Sequence, residues 1–198
     1  MGQYYHVVNI DKKEFLDPHS FGDGLKLMEF GLSGMGTLSG LTILLADGNG
    51  QGGGDLDSED CFIGRWAGDR IVITGDYAEE GKFVENPEVN LYHVTGEEEE
   101  GYKDISAETL YALLDDSYYM QECKEQLEKG HRYLGKDLLA DLIKIKECKA
   151  NKLPLLLGSP SGKDQPITTD GGRRVLEREM KRKLDDGSKE PAPVSGDQ

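Results

Sequence analysis

Apolar residues follow strand-like patterns along the first part of the chain and helical spacing along the second. Tyr4-Tyr5-His6-Val7-Val8-Asn9-Ile10 is β-rich and apolar enough for a central strand. Asp11-Lys12-Lys13 reads as a turn, so Glu14-Phe15-Leu16 returns as the second arm of a hairpin before Asp17-Pro18 breaks it. A short helix is predicted from Leu25 to Phe30 with Asp23 as its N-cap, a strand being the alternative over so few residues. Between Gly34 and Ala46, Leu38, Leu41, Leu44 and Leu45 have the spacing of a buried helix face. Gly36 and Gly40 there would let a neighbouring element come close. Residues 61–66 and 70–76 read as a hairpin closed at Gly68-Asp69, and Val89–Val94 as a further strand.

From Ser106 the pattern turns helical. Ser106 is placed to cap a helix carrying Leu110, Leu113 and Leu114, a second helix covers about Tyr118–Lys129 before Gly130, and a third runs from Lys136 to Lys149. The third carries Leu138, Leu139, Leu142 and Ile145 on one face. The apolar patch Leu153-Pro154-Leu155-Leu156-Leu157 is expected to pack back on the domain. The fold class is therefore α+β, with antiparallel β-hairpins packed against helices in one domain over residues 1–158. Residues 159–198 read as a flexible polar C-terminal tail, interrupted by a basic amphipathic helix at 173–184.

Composition narrows the function. A chain of 198 residues with 36% hydrophobic and 31% charged positions has one core, diluted by polar loops. A formal net charge of −15 would repel phosphate over most of the surface, which argues against nucleic-acid binding. Three widely spaced cysteines suggest a reducing compartment. With no apolar run near membrane-spanning length and no signal-like start, a cytoplasmic protein without a membrane partner is expected.

The stretch that stands apart is Asp47-Gly-Asn-Gly-Gln-Gly-Gly-Gly-Asp55, with five glycines in nine residues. Asp47, Asn49, Gln51 and Asp55 alternate as oxygen donors around Gly52, resembling a calcium-binding loop, with Asp57 close behind. Position 12 is Ser58 rather than the bidentate glutamate, and strand-like residues follow where the second helix of an EF-hand belongs. Asp47, Asn49, Gln51, Asp55 and Asp57 are thus candidate ligands for Ca2+ or Mg2+, against a plain solvated loop.

A second pattern, Gly31-Leu-Ser-Gly34-Met-Gly36, would cradle a phosphate if a strand preceded it and a helix followed. Gly31, Gly34 and Gly36 are the candidate cofactor-binding positions. Close packing at a helix start explains the same glycines. Asp69 and Asp76 stand at the ends of a strand-like segment, where turn chemistry competes with catalysis. The leading expectation is a non-catalytic binding or regulatory protein that uses loop 47–59 to hold a divalent cation or a protein partner. The alternative is a metal-dependent phosphoester hydrolase or nucleotide-binding enzyme, which needs at least three of Asp47, Asp55, Asp57, Asp69 and Asp76 in one cleft.

Overall fold

The computed structural model describes residues 2–49, 55, 56, 58, 62–96, 101–131, 134–150 and 167–187. Four strands, β1 (Tyr5–Asn9), β2 (Glu14–Leu16), β3 (Ile71–Gly75) and β4 (Lys103–Asp104), form one sheet in the order β3-β1-β2-β4. Seven helices accompany them among the described residues: α1 (Leu27–Gly31), α2 (Thr37–Leu45), α3 (Leu91–Gly96), α4 (Ser106–Leu113), α5 (Ser117–Glu128), α6 (Lys136–Ala150) and α7 (Asp170–Gly187). The α+β class follows directly.

The predicted β1–β2 hairpin is present, with Val8 opposite Phe15 and Asn9 opposite Glu14. Its turn is tied to β3 by Arg70, whose backbone N–H and guanidinium both donate to Asp11 at 2.8 Å. As the central strand, β1 is buried on both faces, Val7 facing the main core and Val8 a smaller one with Phe15 and Leu91. The sheet is mixed rather than purely antiparallel, because β2 and β4 run parallel.

Three short segments differ from expectation. Residues 62–66 make turns instead of a strand, and β3 pairs with β1. Gly64 N–H donates to Ile43 O and Trp66 N–H to Leu44 O, both at 2.8 Å, so this segment satisfies carbonyls at the end of α2 that a helix leaves open. Residues 91–94 belong to helix α3, since so short an apolar run carries no period of its own. Asp23 does not cap α1, where the Lys26 N–H is taken by Glu29 Oε2 at 3.1 Å instead.

Helix α4 is the hub. All eight of its residues are buried, so it is enclosed on every side rather than amphipathic, with α2, α6 and α7 packed around it. Ser106 does not act as its cap: the Ser106 N–H donates to Asp104 Oδ1 at 2.9 Å, while its hydroxyl accepts from Asp17 N–H at 2.8 Å. Helices α5 and α6 fall where the spacing predicts, Asp116 capping α5 through Tyr119 N–H at 2.7 Å.

The basic helix of the expected tail runs longer than predicted and packs on α4 and α6. Its buried face is Gly172, Val175, Leu176 and Glu179, at i, i+3, i+4 and i+7, while Met180 is exposed. Burying Val175 and Leu176 is worth about 1.5–3 kcal/mol each. The start of α7 is held by Asp141 of α6, which accepts from Thr168 N–H at 2.9 Å and Thr169 N–H at 2.8 Å. Close approach then requires glycine, because a Cβ at Gly171 would lie 2.8 Å from the Ala107 Cβ. The patch 153–157 and the residues after 187 lie outside the described residues.

Candidate functional site

Two of the sequence signals meet in one place. A cleft of about 390 Å³ lies between α2, the described residues of the glycine loop and the start of α5. Gly34 and Met35 come to it from the glycine turn, Gly48, Asn49 and Asp55 from the acidic loop, and Tyr118 and Tyr119 from α5. That volume suits one large side chain or a small molecule.

The glycine turn does not build a phosphate cradle. Residues 27–31 are helix α1, so no strand feeds the turn, and the strand–turn–helix geometry is missing. The N-terminus of α2 is already occupied by the protein's own carboxylate. Asp23 Oδ2 accepts from Thr37 N–H at 2.7 Å and from Thr37 Oγ1–H at 2.8 Å. Gly36 is glycine for that reason, since a Cβ there would lie 2.1 Å from Asp23 Oδ2. Gly31 and Gly34 face open space, and of the three only Gly34 lines the cleft. Gly40 does admit a neighbour as predicted, because a Cβ would fall 2.7 Å from the Phe21 ring. Replacing Asp23 with alanine is expected to cost about 1–2 kcal/mol by stripping the cap from α2. A thermal melt should show a fall of roughly 3–6 °C, and an unchanged melt would mean that Thr37 needs no partner.

The acidic loop is partly in view. Asn49 uses its side-chain amide N–H₂ to bridge the loop, donating to Leu56 O and to Ser58 O, the latter at 3.3 Å. Ser58 hydrogen-bonds Asp115 at the α4–α5 junction, and Asp115 in turn pairs with Lys146 of α6. Asn49 and Asp55 line the cleft, Asp47 is exposed outside it, and Gln51 and Asp57 lie outside the described residues. Asp69 and Asp76 flank β3 at its two ends, about 20 Å apart along an extended strand. Asp69 takes the Asn9 amide at 2.7 Å and the Lys12 ammonium, while Asp76 takes the Tyr4 N–H at 3.0 Å. Those partners, Lys12 first, hold the Asp69 carboxyl below the usual range. Both acids thus join strands rather than the cleft. Among the described residues, no three His, Cys, Asp or Glu side chains come together in a way that could hold a metal ion.

The walls of the cleft are mainly apolar: Met35, Ile43, Ala46, Leu56, Ile63 and Leu113. Tyr119 is fixed by its hydroxyl, which donates to Met35 O at 2.7 Å, whereas Tyr118 is 71% exposed at the mouth. Among the described residues, Asp55 and Asp116 are the charged residues of the lining, with no lysine or arginine beside them. Leu38 and Leu45, predicted to face the core, are exposed on α2 instead. The helix turns Thr37, Gly40 and Leu44 inward, because the close contact at Gly40 fixes its rotation.

Sequence reasoning passes over two further clusters. Glu14 is buried beneath Arg65 and Trp66, and His6 is packed against the tyrosine of α3. Their partners lie 51 to 89 positions away in sequence, so no local spacing announces them. No protein-family model matches the chain, and neither a curated protein nor a solved structure matches it.

Proposed function

We propose that the protein is a non-catalytic binding module whose cleft beside α2 receives an apolar side chain from a basic segment of a partner protein. One observation carries this reading. The cleft has apolar walls, the charged residues among its described lining, Asp55 and Asp116, are acids, and the exposed Leu38 and Leu45 lie on the same helix as its lining residues Thr42 and Ile43. An apolar patch rimmed by one sign of charge favours an apolar anchor flanked by the opposite charge. The overall charge of −15 draws such a segment in. The hydrolase alternative needs at least three of its five acids in one cleft, and Asp47, Asp69 and Asp76 all lie outside this one.

A displayed peptide library tests the proposal. Enrichment is expected for sequences with one large apolar residue between lysines or arginines, with affinity that falls as salt is raised. Leu38→Asp with Leu45→Asp should weaken the selected peptides at least tenfold while leaving the melting temperature within a few degrees, both side chains being exposed. Enrichment of acidic peptides, or indifference to the two substitutions, would refute it. Calcium or magnesium is the control. A cation-dependent rise in stability that disappears in an Asp47→Ala, Asp55→Ala variant would return the loop to metal binding.

A further inference from the structure

On the face of the sheet away from α4, His6 follows the alternation of β1 and shares its side with Val8. Its ring stacks on Tyr92 of α3 at 4.4 Å and 19°, and tilts against Phe15 at 5.2 Å. His6 Nδ1 lies 2.8 Å from Thr95 Oγ1. The single hydroxyl hydrogen of Thr95 is donated to Tyr92 O at 2.7 Å. Thr95 can therefore only accept from the ring, so Nδ1 carries the imidazole proton and Nε2 keeps a bare lone pair. Burial, followed by the nearby His19, lowers the His6 pKa to about 4, so this neutral form persists at pH 7.

Beside this ring is a second cleft, of about 580 Å³. Besides His6, its acceptors are Asp17, which uses Oδ1 for the His19 N–H, and Asp104, which uses Oδ1 for the Ser106 N–H. Its donors are Lys103 and Arg174, and Phe15 and Tyr102 add aromatic wall. Both cations pair with the buried Glu108 only loosely, at 3.4 and 3.8 Å, and Arg174 reaches Asp104 as loosely, its Nη2 donating to the Asp104 carbonyl at 3.4 Å and lying 3.8 Å from Oδ2. Glu108 Oε2 and Arg174 Nε make no hydrogen bond among the described residues.

A simple cation in this cleft would face Lys103 and Arg174, and a simple anion would face Asp17 and Asp104. A ligand with both charges a short distance apart satisfies the two sets together. We propose that this cleft binds a free α-amino acid, its ammonium group donating to Asp17 and His6 Nε2 and its carboxylate accepting from Arg174 and Lys103. The site is independent of the cleft beside α2 and of any protein partner there.

The test uses the full chain and the standard L-amino acids one at a time, with propylamine and propionate as the separate halves. At about ten times Kd an accepted amino acid should raise the melting temperature by roughly 3–6 °C, and neither half should do so. Asp17→Asn and Arg174→Met should each weaken binding at least tenfold. Nitrogen NMR of the His6 ring in the unliganded wild type should show the Nδ1–H tautomer, with the Nε2 resonance moving on titration. An Nε2–H tautomer, equal stabilisation by either half, no stabilisation by any amino acid, or full affinity in both variants would each overturn the proposal. If a variant fails to fold, the wild-type NMR and the comparison with the two halves decide alone.

Discussion

Replacing Glu14 with alanine is expected to destabilise the fold by about 3–5 kcal/mol. Glu14 leaves β2 into the core and is 4% exposed. Its oxygens accept the Trp66 indole N–H at 2.9 Å and the Arg65 Nε–H at 2.9 and 3.1 Å, and Arg65 Nη2 adds a further contact. Trp66 is completely buried, and the Arg65 guanidinium also lies 5.1 Å from the Phe62 ring centre. Truncation would leave a buried indole donor without the acceptor Glu14 supplies and would remove an acidic partner from the mostly covered Arg65 guanidinium. Most of the cost follows from the indole left without an acceptor rather than from the value of the ion pair itself. Glu14→Gln should be milder, since the amide oxygen can still accept one of the donors. Urea denaturation of the two variants measures the difference. A loss below about 1 kcal/mol in Glu14→Ala would mean that solvent reaches the cluster and that it does not anchor β2 to the 62–68 turns.

The second large effect is a loss of stability in acid, set by His6. An unfolded histidine takes up its proton near pH 6.5, but folded His6 resists it until about pH 4. Between these values the unfolded chain binds more protons, so folding stability falls as pH falls. The contribution is fully present above pH 6.5 and has been lost below pH 4, and it amounts to about 3 kcal/mol. Asp17 works in the opposite sense. Burial first, then the charge of Asp104, raises its pKa, so its folded form gains a proton early and softens the lower end of the decline. Asp11 and Asp69, both depressed by hydrogen bonds from their cationic partners, add a loss that begins as pH enters the usual carboxylate range and is complete only below it. Unfolding free energies measured from pH 7 to pH 4 should slope downward in the wild type and much less in His6→Phe. Equal slopes in the two proteins would show that His6 is protonated as readily folded as unfolded.

What could be read from the sequence was what is local. The β1–β2 hairpin has its alternation and its turn residues within twelve positions, and α5 and α6 carry helical spacing for several turns with Asp116 and Gly130 at the margins of α5. The predicted strands at 61–66 and 89–94 are too short for period to separate strand from helix or turn, and tertiary contacts decide the described residues 62–66 and 91–94. The 62–66 segment is shaped by its bonds to the end of α2, which no pattern within it encodes. Helix α4 shows the same limit differently. Its leucines gave a stripe, but Ser106, Glu108 and Thr109 are buried as well, each supported by distant partners or by the helix backbone. For the candidate site, parts of the two glycine-rich stretches, Gly34 of one and Gly48, Asn49 and Asp55 of the other, line one cleft. The glycine pattern misjudged the chemistry at Gly36, because the acid that occupies the helix start, Asp23, lies fourteen positions away.

The seating of α7 against α4 has a consequence for how the protein is made. A nascent chain emerging from the ribosome can form the β1–β2 hairpin early, since its contacts are local. The flank of α4 and α6 that receives Val175 and Leu176 must stay wet until the segment after residue 170 has been synthesised. A message truncated upstream of that codon would yield a polypeptide with an uncovered apolar wall, the kind of surface that quality-control proteases recognise.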